Sequence, residues 1–207
     1  MSRLELFLWL VPLLVTSMVL HELAHAVVAT RLGDPTPREH GRLTLNPVSH
    51  LDPLGTAMFG ITYWLSSFMF GWAKPVLVQP GHFRRPKEGM ALVAVAGPLT
   101  NFAIALACVA VIVHVELSSG AFEVLALLYQ VNVILGVFNL LPVPPLDGSR
   151  IVAVAMSDAT YERWRALDQY GMLAIFGLIF LFRRPFFELI ETAYTEITEV
   201  MVRVVGG

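Results

Sequence analysis

The sequence predicts an all-α polytopic membrane protein with about four to five transmembrane helices, a re-entrant membrane element, and a short β-like edge between the first helix and a Gly-Pro helix. Three observations carry that expectation. Hydrophobic residues make up 56% of the 207 residues and charged residues only 14%. Mean hydropathy is +0.68, well outside the balance of a soluble chain. The apolar residues also gather into membrane-length runs, and glycine, proline and charge punctuate the stretches between them. No room is left for a separate soluble unit, so residues 1–207 form one membrane domain, with a core over 1–155 and membrane or interfacial helices over 156–207. The net charge of -2 comes with no basic tract, which gives no reason to expect a nucleic-acid partner. Cys108 is the lone cysteine and lies in an apolar run, so neither a disulfide nor a thiolate metal site is available and its role is packing.

The first segment, residues 4–32, stops at Gly33-Asp34-Pro35. It lacks a convincing small-residue cleavage site and is expected to be retained. Inside it stands His21-Glu22-Leu23-Ala24-His25. On a helix His21 and His25 are four residues apart, with Cβ atoms roughly 5–6 Å from each other, so both imidazoles can reach one ion. Glu22 is next round the turn, close enough to take a proton from an activated water without ligating the metal. A chance motif of this kind is common on water-exposed helices. Three ionisable side chains inside a membrane segment are costly, and such cost signals function. At 1.5 Å per residue His21 lies about 15 Å before the end of the segment, below one membrane face, so water must be led in.

Residues 34–52 are polar and turn-rich, and residues 41–45 alternate weakly, as a short strand or edge would. Loop histidines are more often solvated than ligating; of His40 and His50, His50 is kept as an extra candidate. Residues 54–72 are apolar but carry Gly55, Gly60 and Gly71, and residues 76–88 are basic. The segment 90–115 contains Ala96-Gly97-Pro98-Leu99-Thr100-Asn101, where the Gly-Pro pair is expected to kink the helix and free a carbonyl. Asn101 then lies at membrane depth, where an interhelical hydrogen bond is its simplest role. A further helix over 122–141 breaks at Asn139-Leu140-Leu141-Pro142-Val143-Pro144-Pro145-Leu146-Asp147-Gly148. Alone, Asp147 reads as a turn residue capping the next helix. Beside the histidine pair it reads as the third ligand of a zinc ion, with a fourth position open for water. Residues 157–168 are expected at the interface, 166–182 as a marginal span, and 186–205 as an amphipathic helix lying on the membrane or packed on the bundle.

These motifs together resemble the site-2 protease family of intramembrane zinc metalloproteases, peptidase family M50. His21 to His25 match its H-E-x-x-H, Gly97 to Asn101 its G-P-x-x-N, and Asn139 to Gly148 its N-L-L-P-x-x-x-L-D-G. The resemblance covers roughly the first 155 residues and is closest to a compact prokaryotic branch without PDZ or CBS modules. It implies that His21, His25 and Asp147 hold one zinc ion, that Glu22 is the general base, and that Asn101 and Asn139 help to form the site. It further implies cleavage of membrane-protein or transmembrane-peptide substrates in the lipid bilayer. A substrate helix must unwind before attack, and main-chain pairing with the 41–45 or the 54–72 stretch is the expected way of holding it. A metal transporter is the rival reading, but no internal repeat accompanies the ligands. A non-catalytic metal-binding membrane protein is another, and it would more naturally have lost Glu22 or a ligand.

Topology follows from parity. One ion shared by His25 and Asp147 needs the C-terminal ends of the first and 122–141 helices on the same face. The segment 90–115 supplies one crossing, so 54–72 should enter and return. Arg31, Arg38, Arg42, Lys74, Arg84, Arg85, Lys87, Arg150, Arg163 and Arg165 then share that face, which the positive-inside rule makes cytoplasmic. The expected location is the cell membrane, multi-pass, with the active site towards the cytoplasm.

Overall fold

The computed structural model describes residues 2–65 and 69–206. Helix α1 (Arg3–Arg31) opens with a capping box, in which the Ser2 hydroxyl accepts from the Glu5 amide and the Glu5 carboxylate accepts from the Ser2 amide. It ends where Gly33 takes φ +105°, a conformation that glycine adopts without penalty. After a single helical turn, α2 (Thr36–Glu39), come α3 (Pro53–Leu65), α4 (Pro86–His114) and α5 (Ser119–Asn139). The chain then makes four shorter or peripheral helices: α6 (Asp147–Val152), α7 (Asp158–Ala166), α8 (Gly171–Leu181) and α9 (Arg183–Gly206).

Among the described residues, α1, α4 and α5 are the helices long and apolar enough to cross a membrane. Helix α4 is the centre of the bundle and packs along both α1 and α5. Lipid is as apolar as leucine, so helices in a bilayer associate by close packing. Small residues permit it here: Ala26, Ala29, Ala94 and Ala105 are buried at these seams. Gly136 of α5 lies against the Phe102 ring of α4, where an added Cβ would come within 2.7 Å. Cys108 is buried in the α4–α5 core with Val109, Tyr129, Val133 and Met201, the packing role expected of it.

Helix α9 is amphipathic and packed on the bundle. Its Phe186 meets Phe138 near the end of α5, and its Val205 carbonyl accepts from His114 Nε2 at the end of α4. Ile190, Ala193, Tyr194, Ile197 and Met201 face α4 and α5, while Glu188, Glu191, Glu196 and Glu199 are exposed.

Two expectations differ from the structure. The expected four to five spans give way to three candidates, because 166–182 does not form one helix. The 3₁₀ turn Leu167–Tyr170 interrupts it, Gly171 seats directly against Pro145, and Asp168 pairs with Arg150 at 2.5 Å. What remains, α8, has 11 residues, about 16 Å of helix against a hydrocarbon core of about 30 Å. Residues 41–45 form no strand. Gly41 turns with φ +64°, the buried Arg42 reaches back to the Ser49 carbonyl, and the Thr44 carbonyl is taken by His50 Nε2 at 2.9 Å. The chain is bent there rather than extended.

Helix α3, with 13 residues, is about 20 Å long. Residues 66–68 of the expected re-entrant stretch lie outside the described residues. On either side of that stretch the chain meets itself: Leu51 and Ala73 form an isolated antiparallel bridge, and the Lys74 amide donates to the His50 carbonyl at 2.8 Å.

Candidate metal centre

Two elements distant in sequence bring three candidate ligand atoms to one point, and a third element walls it. Helix α1 supplies His21 and His25, whose Nε2 atoms are 3.0 Å apart. Asp147 is the first residue of α6, and its Oδ2 lies 3.2 Å from His21 Nε2 and 3.3 Å from His25 Nε2. The side chain does not cap α6: the N-cap, Leu146, has no side-chain cap bond, so the carboxylate is free to turn towards α1. Helix α4 forms the wall. Gly97 stands so close that a Cβ there would be 2.5 Å from both Nε2 atoms. The residue is glycine because the imidazoles occupy the space a side chain would need.

The far sides of both rings are held. His25 Nδ1 donates to the Val93 carbonyl at 2.7 Å, and that carbonyl can only accept, so Nε2 carries a lone pair. His21 Nδ1 meets Asn101 Oδ1 at 2.6 Å, which gives the same tautomer. Asp147 Oδ2 is buried and has no hydrogen-bond partner. Three acceptors thus face one another inside a largely buried pocket, an arrangement that needs a cation between them. A tetrahedral zinc ion with bonds of about 2.0–2.1 Å sets its ligands about 3.3 Å apart, so the observed edges fit it. His21, His25 and Asp147 are the one group of this kind among the described residues.

Glu22 stands outside this triangle, half-buried, with Oε2 accepting the Val76 amide at 3.1 Å. Of the other residues expected at the site, Asn101 is fully buried behind His21. Among the described residues, no hydrogen bond joins Asn139 or His50 to the three facing atoms. The Asn139 amide donates back to the Leu135 carbonyl of its own helix, and His50 is buried in the 42–50 loop with its Nε2 on Thr44. Sequence reasoning missed Asn132 and Ser17. Asn101 Nδ2 donates to Asn132 Oδ1 at 2.9 Å, Asn132 Nδ2 donates to Ser17 Oγ at 2.9 Å and to the Leu128 carbonyl at 2.8 Å, and Ser17 Oγ donates to the Leu13 carbonyl at 2.8 Å. A signal existed for both: Asn132 interrupts an apolar run, and Ser17 lies four residues before His21 on the same helical face.

Asp34, just beyond α1, is fully buried and ties the turn after α1 to Gln79 and His82. It accepts from the Thr36 and Gln79 amides and from His82 Nδ1. Burial pushes its carboxyl up, but the Thr36 and Gln79 hydrogen bonds and the His82 charge outweigh this and leave it below the ordinary aspartate value.

The family profile described as Peptidase family M50 matches residues 116–182. Two proteins that carry the name putative zinc metalloprotease are similar to this chain. YwhC of Bacillus subtilis is 36% identical over 187 residues, covering 86% of this chain and 82% of its own length. Rip2 of Mycolicibacterium smegmatis is 29% identical, covering 92% and 74%. Zinc metalloprotease MJ0392 of Methanocaldococcus jannaschii is 30% identical over 70% of this chain and 33% of its own. No solved structure matches.

Proposed function

Because the chain belongs to peptidase family M50 and is by that membership a zinc metalloprotease, we propose that it hydrolyses peptide bonds in or near transmembrane segments of membrane-protein substrates, with one zinc ion held by His21, His25 and Asp147. The observation that carries this reading is the meeting of three mutually facing acceptors from α1 and α6 beneath a wall made by Gly97. Zinc, when bound there, supplies a Lewis acid that activates water and polarises the scissile carbonyl.

The chain's own residues do the rest. Val93 and Asn101 hold the two imidazoles with their lone pairs towards the ligand point. Glu22 takes the proton of the attacking water and returns it to the leaving nitrogen, and its bond to the Val76 amide holds the carboxylate in place. Val76 belongs to the non-helical segment after α3, which the Leu51–Ala73 bridge ties down. With residues 41–45 bent, this neighbouring stretch is the better support for an unwound substrate.

The same contacts support a re-entrant reading of the α3 stretch, since it leaves and returns beside the same bridge. The charge pattern supports a cytoplasmic site. Arg183 and Arg184 open α9 at the end where Phe186 packs on Phe138, which leaves Arg3 and Arg203 as the basic residues at the other end. The test is cleavage of a panel of transmembrane peptides by purified protein, with metal analysis alongside. Wild type should contain zinc and cleave, and Asp147→Ala should lose both. Cleavage by a zinc-free Asp147→Ala protein would refute the reading.

A further inference from the structure

The three acceptors converge only if His21 keeps its hydrogen on Nδ1, and nothing in the imidazole itself enforces that. Asn101 does not enforce it alone either, because its amide presents an acceptor on one edge and a donor on the other. Turned over, Asn101 would donate to His21 Nδ1, move the ring hydrogen to Nε2, and close the ligand.

The orientation is fixed further back. The Leu13 carbonyl can only accept, so the Ser17 hydroxyl donates to it and offers its lone pairs to Asn132. The Leu128 carbonyl also can only accept, and it too requires the NH₂ edge of Asn132. Asn132 Oδ1 therefore faces Asn101, Asn101 Nδ2 donates to it, and Asn101 Oδ1 is left to accept from His21. Ser17, Asn101 and Asn132 are at most 1% exposed, so no water competes along the chain.

We propose that Asn132 is a positioning residue of the metal centre: anchored by the Leu128 carbonyl and Ser17, it sets the direction of the Asn101 amide and thereby the metal-binding tautomer of His21. The inference rests on the zinc reading above. Partners of this outer kind typically contribute about 10–100-fold in metal affinity. Ser17 is the weaker anchor, because Leu128 alone still orients Asn132.

The experiment is zinc affinity by chelator competition, with unfolding of the zinc-free proteins followed in parallel. Asn132→Leu should bind zinc at least about tenfold more weakly. Adding Asn101→Asp to it should restore much of that loss, since a carboxylate offers His21 an acceptor whichever way it turns. A lost packing contact would not be repaired by that second change. Asn132→Asp keeps an acceptor for the Asn101 amide whether or not it carries a proton and should stay close to wild type, which serves if the leucine variant does not fold. Wild-type affinity in Asn132→Leu, a double variant as weak as the single one, or loss of binding in a folded Asn132→Asp would each overturn the proposal. A wild-type protein that binds no zinc would instead overturn the zinc reading, and this inference with it.

Discussion

Glu22 and His21 are neighbours in sequence yet have separable work. Glu22 touches the Val76 amide and none of the three ligand atoms is its own, so Glu22→Gln should keep zinc and lower peptide cleavage by roughly 10²–10⁴-fold. A turnover assay with zinc analysis on one preparation checks this, and undiminished turnover would remove Glu22 from the role of base. Gly97 gives the converse case. An added Cβ would sit 2.5 Å from both imidazole nitrogens, so Gly97→Ala should lose zinc and activity together while the helices remain folded. Asp34 predicts a pH effect. Its carboxyl is held below the ordinary value in the folded chain, so the stability it contributes is present above the unfolded-state pKa and is lost as pH falls through the folded one. The protection factor of the Gln79 amide, its exchange measured against the intrinsic rate at each pH, should therefore fall in acid, and Asp34→Asn should remove that fall.

The elements differ in how plainly the sequence announced them. Helices α1, α4 and α5 were legible because a bilayer demands long apolar runs and ends them at polar or Gly and Pro signals. Residues 166–182 read as a marginal span, yet they form no single helix, because hydropathy does not register the Gly171–Pro145 contact or the Arg150–Asp168 pair beside the interruption. Residues 41–45 alternate like a strand, but the chain is bent by the glycine turn and by Arg42 and His50 reaching for local carbonyls. Of the three residues that meet, His21 and His25 were paired by their four-residue spacing, and Asp147 was picked out only by standing in a motif set beside that pair. Asn132 and Ser17 were not, because a hydrogen-bond chain through three helices has no spacing in one dimension. Helix α3 makes its own prediction. Gly55 lies against the Trp72 backbone, so Gly55→Ala should overpack that contact at a cost of about 1–3 kcal/mol and reduce cleavage while zinc, held by other elements, stays. Unchanged cleavage would show that the seat of α3 does not matter to catalysis.

At the scale of the whole molecule, α1, α4 and α5 build a bundle around the point where His21, His25 and Asp147 meet, and the proposed cytoplasmic orientation of that point can be checked by itself. Cysteine labelling in intact cells reads the orientation: Arg184→Cys should react only after permeabilisation, and Glu116→Cys, in the turn between α4 and α5, should react without it. The reverse pattern would turn the site to the outside. Whether a metal centre joins α1 to α6 is decided by the stoichiometry and X-ray absorption of zinc in purified protein. One ion per chain is expected, bound by two imidazole nitrogens and oxygen donors and lost in Asp147→Ala. A fully cleavage-active protein without zinc, or zinc without imidazole ligands, would contradict it.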